Sequence, residues 1–202
     1  MFKFVKVNGV KKLVQPGMGS LYARNNFPHL ESVYPMLRSP YTAVKLACGS
    51  VAWCYSRLMQ SVSLRIFAGY RYYGEKKDRF ASIVRLFMNN IMNKKPPSAM
   101  GYKKREEDFV FIENIVAATI KTDEKAYRSI VNVDTGVLTS LNSLVNTINE
   151  VAGNEVEATY IPRMNAYMEK LRVDTALMKD VLVPSRPHSR MESGNSIIIC
   201  VL

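Results

Sequence analysis

Pro96-Pro97, in the stretch KKPPSAMGYKK (94–104), is the strongest single constraint on how this chain folds. No helix passes through two adjacent prolines, because each lacks an N–H and its ring clashes with the preceding turn. The residues on either side must therefore form separate elements. Pro16, Gly17, Gly19, Pro28 and Pro35 punctuate residues 1–38 as loop. Gly17-Met18-Gly19 is a lone Gly-x-Gly without strand–helix context, so it reads as turn chemistry and not as a phosphate cradle.

Between the breaks, apolar residues recur at three- and four-residue steps, the helical period. Ser39-Pro40 reads as an N-cap followed by the first helical residue. Behind it lies a stripe of Val44, Ala47, Cys48, Val51, Tyr55, Leu58 and Met59, expected to face inward. Asp78 is placed to cap a second stripe of Phe80, Ile83, Val84, Phe87 and Ile91. Glu106, Glu107 and Asp108 suit the positive end of a helix continuing through FVFIENIVAATI, whose β-branched residues leave a strand as the alternative. Thr122-Asp123 opens a short helix through Ile130. Asp134 or Thr135 caps one that carries Leu138, Leu141, Leu144, Val145 and Ile148, and Gly153 stops it. A last helix runs from Pro162 to Pro184, while RIFAGYRYYG (65–74) reads as a short strand or irregular connection.

Two β signals flank these stripes. Asn8-Gly9, between FKFVKV and VKKLV, is a hairpin-turn pair. SIIICVL (196–202) is a β-prone septet beyond the linker-like PSRPHSRMESGN. The expected fold is mainly α: a bundle of about five helices with an N-terminal β-hairpin and a C-terminal β-prone tail. The expected divisions are a hairpin and loop-rich arm at 1–38, a helical core at 39–183 and a linker with strand-like tail at 184–202.

Charge points outward. The chain carries net +11, and residues 1–105 hold 19 of the 28 Lys and Arg but 3 of the 17 Asp and Glu. Such a basic half suits an anionic partner, nucleic acid or an acidic membrane surface. Cys48, Cys54 and Cys200 make no disulfide framework and suit a reducing compartment. No signal peptide is apparent, because Lys3 and Lys6 interrupt the first apolar stretch. No apolar run is long enough to span a bilayer.

Motifs for chemistry are sparse. His29 and His188 lack partners at metal spacing, and no Walker loop, HExxH or nucleophile elbow occurs. Neither an enzyme nor a cofactor is expected on these grounds. The expected nucleic-acid contacts are Arg65, Arg71, Tyr72, Lys76, Lys77 and Arg79, where cations alternate with aromatic faces that stack on unpaired bases. Lys94, Lys95, Lys103, Lys104 and Arg105, around the Pro-Pro loop, would add phosphate contacts with little base specificity.

The stretch KKREEDFVFIEN (103–114), followed by TDEKAYRSIVNVDTGVLTSLNSLVNTINE (122–150), resembles the C-terminal half of tobamovirus-type rod coat proteins. The matching features are Lys104 and Arg105 before Ile112-Glu113-Asn114, and Val133-Asp134 before the Leu138–Ile148 stripe. The resemblance implies a four-helix bundle with RNA between stacked subunits, Lys104 and Arg105 near phosphates, and Asp134 near the RNA end of a helix. The expected function is that of a self-assembling, RNA-binding structural protein, a viral coat or nucleocapsid subunit. Its partners would be RNA and further copies of itself, and its location the virion and host cytoplasm. The alternative is a peripheral matrix-type protein holding its basic face on an anionic membrane.

Overall fold

The computed structural model describes residues 2–22, 28–37, 39–71, 82–100, 105–124, 130–161 and 173–182. The chain begins with helix α1 (Phe2–Val7), strand β1 (Lys12–Pro16), a short 3-10 helix (Gly19–Tyr22) and helix α2 (Pro40–Tyr55). Strands β2 (Gln60–Ile66) and β3 (Ala68–Tyr70) follow, then helix α3 (Ile83–Met92), strand β4 (Ser98–Met100) and strand β5 (Glu106–Phe111). The remainder is α4 (Ile112–Glu124), β6 (Ile130–Val133), β7 (Leu138–Ser140), α5 (Leu141–Ala152), β8 (Thr159–Ile161) and α6 (Ala176–Leu182).

The heart of the molecule is a parallel sheet of order β1-β2-β6, with Lys12 opposite Gln60 and Ser63 opposite Ile130. Its inner residues Val14, Val62, Leu64, Val131 and Val133 pack with Val110, Ala118 of α4 and Met178 of α6. A second sheet, β3-β5-β7, is parallel between β3 and β5 and antiparallel between β5 and β7. Beyond it lies a separate apolar cluster of Phe87, Ile91, Leu141, Leu144, Val145 and Ile148, which joins α3 to α5 beside the β4–β8 pair.

This architecture is α/β, and it overturns the expected helical bundle and the coat-protein resemblance. The error has a physical source. Strands of a parallel sheet are covered on both faces, so they read as short apolar runs without the alternation that betrays a half-exposed strand. LVQ, SVSLR and VNV are such runs, buried almost throughout. The acidic triplet Glu106–Asp108 starts strand β5 and not a helix, and α4 begins only at Ile112. Ile130–Val133, read as the end of a helix, is central strand β6.

The N-terminal hairpin is replaced by α1. Gly9 does adopt positive φ (+72°), but in the cap of a helix: Val10 N–H donates to Val5 O at 3.2 Å and Gly9 N–H to Lys6 O at 3.1 Å. A hairpin turn and a helix C-cap both ask for a left-handed residue, so Asn-Gly alone does not separate them. The cap of α2 sits where the sequence puts it, Ser39 accepting from Thr42 N–H, with Pro40 in the first turn. The expected stripe is split, however. Val44 and Val51 of α2 and Leu58 beyond it lie outside, whereas Met59 is buried with Tyr55 packed against the same cluster; within α2, Thr42 and Ala52 are buried, and a Cβ on Gly49 would lie 3.6 Å from Ser63 Oγ on β2. Small residues let the helix lie close on the sheet. The terminal septet 196–202 lies outside the described residues.

Candidate active site

In open parallel sheets, ligands bind beyond the carboxyl ends of the strands. Here those ends are Pro16-Gly17, Ile66-Phe67 and Val133-Asp134. They are tied together by Gly17 N–H donating to Leu64 O at 2.6 Å and Phe67 N–H to Val133 O at 3.4 Å.

Lys45 of α2 reaches this edge, with Tyr41 one turn before it. The Lys45 ammonium lies 5.9 Å from the centre of the Tyr41 ring. Lys45 Nζ also donates to the Pro16 carbonyl at 3.5 Å, which anchors it at the end of β1. Tyr41 is 60% exposed, so its hydroxyl faces solvent beside a fixed positive charge. Ser39, Pro40 and Thr42 hold this first turn in place through a capping box.

Beneath that edge lies a buried polar network. Arg65 Nη1 donates to the Tyr22 hydroxyl at 2.5 Å and to Glu31 O at 3.3 Å, and its guanidinium stands 4.8 Å from the Tyr22 ring centre. Tyr22 in turn donates to Asn132 Oδ1 at 2.7 Å. The Asn132 amide group donates to His29 O at 3.1 Å, and its backbone N–H to the Glu31 carboxylate at 2.9 Å. The Tyr22 ring stacks between His29 and Phe67, at 5.1 and 6.1 Å. Burial raises the Tyr22 phenol above its usual value despite the opposing pull of Arg65. This cluster fixes the turn after β1 to β2 and β6.

The same network accounts for Gly17-Met18-Gly19. A Cβ on Gly19 would lie 2.3 Å from the Phe67 ring, and one on Gly17 would meet Ser63 Oγ at 3.0 Å. The glycines admit the sheet and Phe67. The turn leads into a four-residue 3-10 helix, not the long helix whose N-terminus receives a diphosphate in dinucleotide-binding folds. Among the described residues, this turn therefore offers no helix N-terminus to a dinucleotide's phosphates.

The residues expected to hold nucleic acid are dispersed. Arg65 is interior, 4% exposed. Arg71 is exposed just past β3. Tyr72, Lys76, Lys77, Arg79, Lys103 and Lys104 lie outside the described residues. Lys94 and Lys95 close the C-terminus of α3: Lys94 is left-handed (φ 55°), and its N–H donates to Ile91 O at 2.9 Å. Lys94 also borders a concavity of about 710 Å³ with Asn149, Gly153 and Asn154, whose amide groups are engaged with Val156 and Ile91 carbonyls. Arg105 pairs with Glu107. Tyr41 and Lys45 were passed over in the sequence because Tyr41 precedes the apolar stripe and Lys45 interrupts it. Their spacing of four was the available signal.

Residues 1–133 match the profile of the NAD dependent epimerase/dehydratase family. The chain belongs to that family. It is 25% identical over 184 residues to a UDP-glucuronate 4-epimerase of Thermodesulfobacterium geofontis, covering 90% of this chain and 56% of that protein. It is 24% identical over 151 residues to dTDP-4-dehydro-6-deoxyglucose reductase of Escherichia coli, covering 73% of this chain and 48% of the relative. The solved UDP-N-acetylglucosamine 4-epimerase of Methanobrevibacter ruminantium, bound to UDP-N-acetylmuramic acid, superposes with a TM-score of 0.85 at 23% identity. That superposition covers 89% of this chain and 59% of the other. The chain thus spans about half the length of the curated relatives it matches.

These matches overturn the expected coat or nucleocapsid subunit and, equally, the matrix-type alternative. The family is named for epimerases and dehydratases, and the relatives above for UDP and dTDP sugars, so the expectations of a non-enzyme, of RNA and membrane as partners, and of a virion location all fall. The +11 charge misled because net charge reports on solubility and association, not on fold or chemistry.

Proposed function

We propose that the protein acts on a nucleoside diphosphate sugar and that this chain supplies the proton-handling side of the site. The observation that carries this reading is the Tyr41–Lys45 couple, one turn apart on α2 and held by Pro16 O at the carboxyl end of β1. The relatives are named for sugars carried on UDP or dTDP, which share a diphosphate and a ring bearing hydroxyls. Epimerisation or dehydration of such a ring requires a proton to leave or return at an oxygen, work suited to a positioned side chain. Tyr41 offers its hydroxyl to that proton. Lys45 supplies positive charge where the oxygen gains negative charge, at a fixed place that needs no reorganisation.

The test uses the protein as its cell makes it, with UDP-glucuronate and UDP-glucose titrated by calorimetry and turnover followed chromatographically with NAD present. Tyr41→Phe is expected to leave sugar-nucleotide binding unchanged and to lower turnover by about 100-fold or more. Absence of binding to every UDP or dTDP sugar overturns the reading, and so does full turnover in Tyr41→Phe.

A further inference from the structure

A pair of buried acids lies where the two sheets meet, at the β6 end of the same strand edge and apart from Tyr41 and Lys45. Asp108 is in β5 of the second sheet, and Asp134 directly follows β6 of the first. Each is 1% exposed. The single backbone N–H of Thr135 is shared between them, 3.2 Å from Asp108 Oδ1 and 3.1 Å from Asp134 Oδ1, so the two carboxyl groups converge on one point. The Thr135 hydroxyl also donates to Asp108 Oδ1. Among the described residues no donor reaches Asp134 Oδ2, which is fully buried.

The surroundings do not neutralise this pair. From β5, Asp134 is faced by Asp108 and more remotely by Glu107, whose carboxylate is taken by Arg105. From α6 it meets Met178, whose sulfur accepts the Asp134 N–H at 3.1 Å. Thr175, just before α6, sits against Gly136, where an added Cβ would be 3.2 Å from its hydroxyl. Among the described residues, the charged side chains that act on Asp134 are thus both acidic. Two carboxylates this close and this dry cannot both ionise without strong repulsion.

We infer that Asp134 holds a proton that it donates to the Asp108 carboxylate, and that this proton latches β5 to the turn after β6, on which α6 docks through Met178, at the junction of the two sheets. The proton gives Asp134 Oδ2 something to donate, and Asp108, already the acceptor for Thr135, receives it. Burial first, and then the neighbouring Asp108, push the Asp134 carboxyl up to about 10.

The sign of the pH dependence follows. A carboxyl whose folded value lies above its unfolded value binds a proton on folding. Its contribution is fully present below about pH 4, the unfolded carboxylate value, and is lost as pH rises towards about 10. Alkaline pH therefore loosens the latch, and α6 with it.

The test compares melting temperature between pH 5 and 9 in the intact protein and in Asp134→Asn, whose amide donates at every pH. The other titrating groups are common to both proteins, so the difference in slope isolates the pair. The wild type is expected to lose melting temperature steadily with rising pH relative to the variant, with α6 amides exchanging hydrogen faster at pH 9 than at pH 6 in the wild type alone. Parallel slopes overturn the latch. Should Asp134→Asn fail to fold, infrared spectroscopy of the wild type decides: a protonated-carboxyl band at pH 7 that fades only at strongly alkaline pH supports it, and absence of that band at pH 7 overturns it.

Discussion

The two buried polar clusters, at the carboxyl edge of the first sheet and at the junction with the second, solve one problem in opposite ways. Around Tyr22, desolvation is met with a permanent cation: Arg65 is surrounded by the Tyr22 hydroxyl, the Glu31 carbonyl and, through Asn132, a chain of acceptors. Around Asp134 no cation is at hand, and the acid itself stays neutral by holding its proton. A guanidinium keeps its charge at any pH at which the protein is folded. A carboxyl pair does not. The difference separates a cluster organised around a permanent charge from a seam that responds to pH.

The comparison breaks first at Arg65. Arg65→Ala removes the charge that Tyr22 and the Glu31 carbonyl are arranged around, and a loss of about 3 kcal/mol is expected, equal at pH 6 and pH 9 in urea unfolding. Asn132→Ala should cost about 2 kcal/mol, since the Tyr22 hydroxyl loses its acceptor and the His29 carbonyl one of its two donors, the Asp174 N–H remaining. Asp134→Asn should be more stable than the wild type at pH 8 and not near pH 4, where the Arg65 loss is the same at both. Ser39→Ala, remote from both clusters, removes only a helix cap; it should cost about 1 kcal/mol without any pH dependence. If the Arg65 loss varied with pH as steeply as the Asp134 gain, the two clusters would not differ in kind.

Much of the local punctuation was legible in the chain. Ser39-Pro40 begins a helix and Gly153, left-handed at φ +64°, ends one, because caps depend on a few adjacent residues. The stripe Leu141, Leu144, Val145 and Ile148 is buried as its spacing requires. The strands were not legible. Val62 and Leu64 have buried neighbours on both faces of the sheet, so polar and apolar positions do not alternate between them and solvent. The candidate site was hidden for a related reason. Lys45 reads as a break in an apolar stripe, and only the β1–β2 register places Pro16 O within its reach.

By itself the sequence determined the helix start at Ser39-Pro40, the helix stop at Gly153, and that no helix could cross Pro96-Pro97, since these follow from torsion angles and missing N–H groups within a few residues. It also settled which residue types were available: a tyrosine and a lysine four apart, and acids that recur in the second half. The tertiary structure alone decided which face of α2 meets the sheet, that Ile130–Val133 is a central strand, that Arg65 points inward, and that Asp108 and Asp134, far apart in the chain, face each other. Burial and pairing are properties of contacts between distant segments. No window of sequence contains them.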